Sequence, residues 1–310
     1  LTGGFLQREV ERMRRRIKSL KVQGARNIAK AVMGVMGTVA RKSKAKTREE
    51  FINELLVAAD ELASARPTEP MLRNALRSLF MELKKSRGDV DELKRIVERE
   101  EGEYFKKIAE SEERITEYGA RELSNCSVIM THCHSSLVVS ILKRVNEIKR
   151  GVRVICTETR PKFQGLITAR ELSKAGLKVT LIVDSAVSSF MKEADAVIVG
   201  ADAITSRGDL INKIGTAGIA VIAHENGVSF YSAAETFKFD PLTLWGGIEK
   251  IEEREPEEVI KPDKLKGVEI RNPAFDMTPA RYVTAYITEM GVIPPQSLLN
   301  VIMRSGVEFY

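Results

Sequence analysis

Chemistry in this sequence concentrates in short polar stretches that follow apolar runs. Val197 to Thr216 reads VIVGADAITSRGDLINKIGT. Ala196-Val197-Ile198-Val199 has the character of a buried parallel strand, and Gly200 ends it. Asp202 then falls just past the strand's C-terminal end, where open α/β sheets bind ligands. Gly208-Asp209 marks a turn. Asn212, Lys213 and Gly215 follow at the mouth of a second apolar segment, Ile219 to Ala223. A carboxyl group, an amide, a cation and two glycines thus converge within about one loop. The same residues also suit an ordinary βα loop with a capping Asp.

Thr131-His132-Cys133-His134-Ser135-Ser136 ends another apolar run. Ser135 and Ser136 can cap the helix that follows, whose free backbone N–H groups favour an anion such as phosphate. Cys133, at that helix N-terminus, is expected to have a lowered pKa and thiolate character. A small buried packing residue is the other reading of this thiol. His-Cys-His does not predict a metal site: neighbours in an extended loop point different ways, and no further ligand spacing follows. A third loop, Cys156-Thr157-Glu158-Thr159-Arg160-Pro161, offers Arg160 to a phosphate, or Glu158 and Arg160 to each other as an ion pair. Lys238, in ETFKFD, reads by default as a solvated lysine. Arg26, after Gly24-Ala25, and Arg66, before Pro67, sit at breaks in a helical region. They read by default as surface cations; together they could close over an anion.

These residues need positioning. Leu6, Val10, Met13, Ile17 and Leu20 recur at helical spacing, Gly24 interrupts, and a second apolar helix spans about Ile28 to Val39. Thr47 with Glu50 forms a capping box for a helix through Leu62. Ala65-Arg66-Pro67-Thr68 is a break, and Pro70 starts a helix through Lys85. Asp89 or Asp91 caps a long charged helix to about Leu123. From Cys126 onward, short apolar strands alternate with helices. Strands are expected in CSVIMT, VRVICT, KVTLIV and AVIVG, with helices over Leu137–Ile148, Leu166–Ala175 and Val187–Lys192. The expectation is an α/β protein: an all-helical domain over 1–122, then a Rossmann-like domain with a mostly parallel sheet over 123–310. Residues 242–267, acidic and punctuated by Pro, read as an irregular excursion. Thr278-Pro279 reads as an N-cap and first turn opening a helix through Met290. No GxGxxG follows the first strand, so a dinucleotide site is not indicated.

The chain has 310 residues, 43% hydrophobic and 30% charged, as in a soluble globular protein. No apolar run is long enough to span a membrane, and the basic start lacks a signal-peptide core. Three irregularly spaced Cys point to a reducing cytoplasm. Abundant Lys, Arg and Glu are compatible with a thermophile. The net charge is +6, with 14 Lys/Arg against 4 Asp/Glu in residues 1–50. No aromatic interleaving or nucleic-acid motif accompanies that charge. It reads as a solvated face or as a field for an anionic substrate, not as nucleic-acid binding.

THCHSS, ETRPKFQG, VGADAITSRGDLINKIGT and RNPAFDMTPARYVTAYITEMGV together resemble the sugar-phosphate isomerases related to the α, β and δ subunits of translation initiation factor 2B. GARNIAKA extends the resemblance weakly into the helical region. Regulatory subunits of this superfamily generally lack the Cys/Asp pair that the isomerases carry, here Cys133 and Asp202. Methylthioribose-1-phosphate isomerases carry a GAPAIG-like motif where this chain has GARNIA, with Arg26 at the Pro-like position. A cation there suits a second phosphate, as in the archaeal ribose-1,5-bisphosphate isomerases of nucleoside-monophosphate breakdown. The resemblance implies catalysis by Cys133 and Asp202. It implies substrate binding by Gly24, Ala25, Arg26, Arg66, Ser135, Ser136, Asn212, Lys213 and Lys238. It also implies no metal or redox cofactor, and a homo-oligomer built as a dimer or trimer of dimers. The alternatives are a regulatory subunit-like protein and a methylthioribose-1-phosphate isomerase.

Overall fold

The computed structural model describes every residue except 1–3, 20, 23, 67–68, 248–250, 266 and 305–310. Leu20 and the Pro67-Thr68 break lie outside the described residues. The chain divides into two compact units, Leu1–Glu110 and Ser111–Tyr310.

The first unit is helical: α1 (Gly4–Lys18), α2 (Ala25–Lys42), α3 (Arg48–Ala63), α4 (Pro70–Lys85) and the first part of α5 (Val90–Glu122). On α1, Leu6, Val10 and Ile17 are buried, while the arginines between them stay in solvent or pair with Glu9 and Glu11. The capping box forms as the spacing predicts. Thr47 Oγ1 accepts the Glu50 N–H at 3.2 Å, and Glu50 Oε2 accepts the Thr47 N–H at 3.3 Å. Pro70 occupies the first turn of α4, where its missing N–H costs nothing. Asp89 accepts the Glu92 N–H and starts α5. From Ser111 onward, α5 belongs to the second unit, where Ile115 and Ala120 pack with the sheet residues.

That unit continues in chain order with β1 (Val128–Thr131), α6 (Ser136–Lys149), β2 (Arg153–Thr157), α7 (Gly165–Lys174), β3 (Lys178–Ile182), α8 (Val187–Phe190) and β4 (Ala196–Val199). Next come β5 (Ala203–Ile204), β6 (Leu210–Lys213), α9 (Thr216–Glu225), β7 (Ser229–Ala233), β8 (Phe275–Thr278), β9 (Ala285–Thr288), β10 (Gly291–Ile293) and α10 (Pro295–Arg304). Seven strands form one sheet in the order β10-β9-β7-β4-β1-β2-β3, parallel except for the β9–β10 pair. Successive residues of β4 point to opposite faces. Val197 and Val199 pack with Val187, Ile219 and Leu298, whereas Ala196 and Ile198 pack with Leu137, Leu172 and Ile115. Helices thus cover both faces, and strands buried on both faces read as continuous apolar runs.

Two expectations are corrected. Thr278-Pro279 opens no helix. Residues 280–282 make a single 3₁₀ turn, and β9 and β10 follow as an antiparallel pair beside β7. The β-branched and aromatic run Val283-Thr284-Ala285-Tyr286-Ile287-Thr288 fits a buried strand, with Tyr286 and Ile287 fully enclosed, and this tertiary placement overrides the capping pattern. Asn212 and Lys213 are not in a βα loop either. They end β6 in a separate three-stranded antiparallel sheet, β5-β6-β8. Among the described residues, 242–267 hold short 3₁₀ turns and a single β-bridge from Glu253 to Pro273, the irregular excursion that the composition suggests.

Candidate active site

Strand order places the site. β2 and β3 extend the sheet on one side of β1, and β4 extends it on the other. The crevice beyond the C-terminal ends of β1 and β4 is therefore a topological switch point, where doubly wound sheets bind ligands. The loop after β1 carries Cys133 and Ser135 and leads into α6 at Ser136, and the loop after β4 carries Asp202. The two loops touch, since a Cβ built on Gly200 would lie 2.9 Å from Ser135 Cβ. Only glycine allows that approach.

Cys133 is held in a left-handed conformation at φ 65°. L-residues other than Gly, Asn and Asp seldom adopt it unless their surroundings impose it. Here two side chains do so. Its N–H donates to Thr159 Oγ1 at 2.9 Å, and its carbonyl accepts from Thr168 Oγ1 at 2.9 Å. Ser135 caps α6, its hydroxyl accepting from Val138 N–H, and Ser136 stands exposed in the first turn. The expected lowering of the Cys133 pKa is not found. Burial pushes the thiol up to about 11, against the opposing pull of the Lys213 ammonium and the His134 N–H, while the Asp202 carboxylate adds to the rise. Desolvation of this half-buried side chain outweighs the pull of Lys213 and the His134 N–H, and it favours the neutral thiol.

Asp202 is half-buried, and its N–H donates to Ile211 O at 2.9 Å, which pins the start of β5 to β6. Lys213 stands over the Phe275 ring, with Nζ 4.8 Å from the centroid. Asn212 is buried, and its Nδ2 donates to Thr216 Oγ1 at 3.0 Å. Lys238 is not the solvated lysine of its default reading. It is 6% exposed, and its ammonium lies 3.4 Å from the fully buried Glu235 carboxylate. The turn carrying it is tied down on two sides. Glu289 accepts from the N–H and hydroxyl of Thr236, and Asp240 N–H donates to Ile204 O at 2.8 Å, on the strand that follows Asp202. A buried ammonium needs such a partner.

In the helical unit, Gly24 (φ 80°) and Ala25 form the entry to α2. Arg26 and Arg66 are 9% and 8% exposed, so neither is a surface cation. Arg160 is exposed. Its guanidinium donates to Val259 O at 3.0 Å and stacks on Phe163, and no ion pair with Glu158 forms among the described residues.

Several residues at the site were not singled out by their spacing. His132 is buried, between Thr157 Oγ1 at 2.6 Å from Nδ1 and Ile214 O at 2.9 Å from Nε2. Asp184, after β3, accepts the N–H groups of Thr159 and Arg160 at 2.7 Å each. Asp276, on β8, accepts the N–H groups of Gly215 (2.7 Å) and Ala217 (3.2 Å), so a carboxylate of this chain occupies the N-terminus of α9. Burial pushes Asp276 up to about 6 despite those hydrogen bonds and Lys213. RNPAFDMTP contained Asp276, but its partners lie far away in sequence. Among the described residues, no helix is long and apolar enough to cross a membrane.

A doubly wound sheet with a thiol and a carboxylate on facing loops of its switch point defines an α/β protein of the doubly wound class. More narrowly, the chain belongs to the initiation factor 2 subunit family, whose model matches residues 21–295. A Methanocaldococcus jannaschii protein named ribose 1,5-bisphosphate isomerase is 44% identical over 290 residues, covering 93% of this chain and 92% of that one. The crystal structure of translation initiation factor eIF-2B from Pyrococcus horikoshii matches with a TM-score of 0.80 at 32% identity, covering 92% of this chain and 97% of that one. That of 5-methylthioribose 1-phosphate isomerase from the same organism matches with a TM-score of 0.78 at 35% identity, covering 96% and 88%.

Proposed function

We propose that this chain is a sugar-phosphate isomerase converting ribose 1,5-bisphosphate to ribulose 1,5-bisphosphate, with Cys133 and Asp202 as its acid–base pair. The observation that carries the reading is the coincidence of that pair at one switch point, in a chain 44% identical to a protein named for the activity. The anomeric oxygen of this substrate carries phosphate, so the ring must be opened with help. In the reactive form the proton of the pair sits on Asp202 rather than Cys133; Asp202 gives it to the ring oxygen, and the bond from C1 to that oxygen breaks. Cys133 thiolate removes the proton on C2, leaving an enol phosphate between C1 and C2. The Cys133 proton then goes to C1. Asp202 recovers a proton from the C2 hydroxyl as the ketone forms, and both residues are restored.

The thiolate is the minor form of Cys133, and Lys213 is the group that favours it. Ser135, Ser136 and the start of α6 bind one phosphate, with Lys213, Asn212 and Lys238 as further ligands. Gly24, Ala25, Arg26 and Arg66 are assigned to the second phosphate. A homo-oligomer, dimer or trimer of dimers, in the cytoplasm belongs to the same reading. The test is product analysis with ribose 1,5-bisphosphate and with methylthioribose 1-phosphate, on wild type, Cys133→Ser and Asp202→Asn. Ribulose 1,5-bisphosphate should form with wild type, and each variant should lose at least ~10²-fold in turnover. Normal turnover in either variant removes that residue from the chemistry, and preference for the methylthio sugar removes the substrate.

A further inference from the structure

Three polar side chains lie buried behind Cys133, and the mechanism uses none of them. Thr157 and Thr159 are fully enclosed, and His132 is 3% exposed. Their hydrogen-bond directions can be worked out. Ile214 O can only accept, so His132 Nε2 carries the proton in that 2.9 Å contact. Burial disfavours the imidazolium, so Nδ1 is an acceptor, and the Thr157 hydroxyl donates to it at 2.6 Å. Thr157 Oγ1 then has a lone pair for the Thr159 hydroxyl, 3.3 Å away. Thr159 Oγ1 in turn accepts the Cys133 N–H at 2.9 Å. The run has one direction, because a backbone N–H starts it and a carbonyl ends it; the Thr159 hydroxyl also lies 3.5 Å from Thr157 O and from His132 Nδ1.

Thr159 itself is fixed from the other side. Its φ is 63°, and its N–H is gripped by Asp184 Oδ1 at 2.7 Å while the second carboxylate oxygen takes the next N–H, that of Arg160. The far end of the chain, Ile214, directly follows Lys213. A Cβ on Gly215 would lie 3.3 Å from the His132 ring, so that loop is seated against the imidazole.

We propose that Thr159 is a positioning residue for Cys133, one link of a directional chain Cys133–Thr159–Thr157–His132–Ile214 that ties the loop of the thiol to the loop of Lys213. The proposal rests on the reading of Cys133 as the base. The chain holds the Cys133 backbone in its left-handed form and sets the spacing between thiol and ammonium. Thr159 acts through Cys133 rather than on the substrate, so loss of its hydroxyl should lower kcat and leave KM nearly alone.

The experiment compares kcat and KM for ribose 1,5-bisphosphate in the full-length wild type, Cys133→Ser, Thr159→Val, Thr159→Ser and Thr157→Val, each with a thermal unfolding curve. Thr159→Val keeps the branched shape but removes the acceptor; kcat should fall about 10–100-fold, as expected for a misplaced reacting group, with KM within about threefold. Thr159→Ser keeps the oxygen and should stay within about threefold of wild type in both. Thr157→Val, which suits its strand, should show a smaller loss of kcat. A folded Thr159→Val with wild-type kcat overturns the proposal, as does equal damage in Thr159→Ser. If Thr159→Val does not fold, an unchanged kcat in Thr157→Val overturns it. Full activity in Cys133→Ser removes the underlying reading as well, whereas a dead Cys133→Ser beside an undamaged Thr159→Val removes this proposal alone.

Discussion

At Cys133 the Lys213 ammonium and the His134 N–H pull the thiol toward its anion while enclosure pushes it back. The outcome is a thiol pushed up to about 11, above the ordinary cysteine range. For an acid, a raised pKa means that the neutral form persists to higher pH. At pH 7 the thiolate fraction is then about 100-fold below that of an unshifted thiol. Iodoacetamide attacks only the thiolate, so Cys133 in the ligand-free protein should be alkylated at least ~100-fold more slowly than free cysteine at pH 7. Its rate should climb about tenfold per pH unit through pH 9. Peptide mass spectrometry separates it from Cys126 and Cys156. Lys213→Met removes the chief opposing pull and should slow the reaction further. A rate that levels off below pH 9 would show that the thiol is not raised.

Loops between β2, α7 and the neighbouring strands hold the machinery in place, and their geometry leaves little room. A Cβ on Gly165 would fall 1.7 Å from Thr157 O and 2.9 Å from its carbonyl carbon, a clash with backbone that no rotamer change relieves. Gly165→Ala should therefore destabilise the protein by about 3 kcal/mol or more, visible as a lower Tm; an unchanged Tm would contradict the packing. Such loops also mark where sequence reading stops. β1, β2, β3 and β4 were legible because strands buried on both faces are continuous apolar runs. Cys133 and Asp202 followed from them, one loop further on. β5 has two residues and β6 and β8 four each, too short for a period to emerge. Thr159, Asp184 and Asp276 act on partners 24 to 61 residues away, and nothing in one sequence announces such pairs. Lys238 looked solvated because the enclosure of Glu235 comes from the folded sheet, not from its neighbours in the chain. Arg26 and Arg66 looked exposed for the same reason.

Charge is shared unequally across the whole molecule. Residues 1–50 hold 14 Lys/Arg and 4 Asp/Glu within a total of +6, so the rest of the chain is acidic on balance. A bisphosphate brings two dianions, and under the proposed reading Arg26 serves the one not held near α6. Removing a charge-assisted contact costs about 1.5–3 kcal/mol. Arg26→Ala should then lower kcat/KM for ribose 1,5-bisphosphate by roughly 10–100-fold and barely alter residual activity on a sugar monophosphate. Equal losses on both substrates would mean that Arg26 does not read a second phosphate.

Cys133, Thr159 and Phe163 are three of the four non-glycine residues with positive φ among the described residues, and all three sit in the two loops that frame the thiol. Glycine at any of these places would relax the backbone. A laboratory selection that rewards survival of heating, and is blind to turnover, would be drawn toward just those replacements. At Phe163 the gain has no evident catalytic drawback, but at Thr159 the hydroxyl disappears along with the strain. Lineages enriched by heat alone would grow sturdier and slower together, and their divergence from the parent would begin in these two loops.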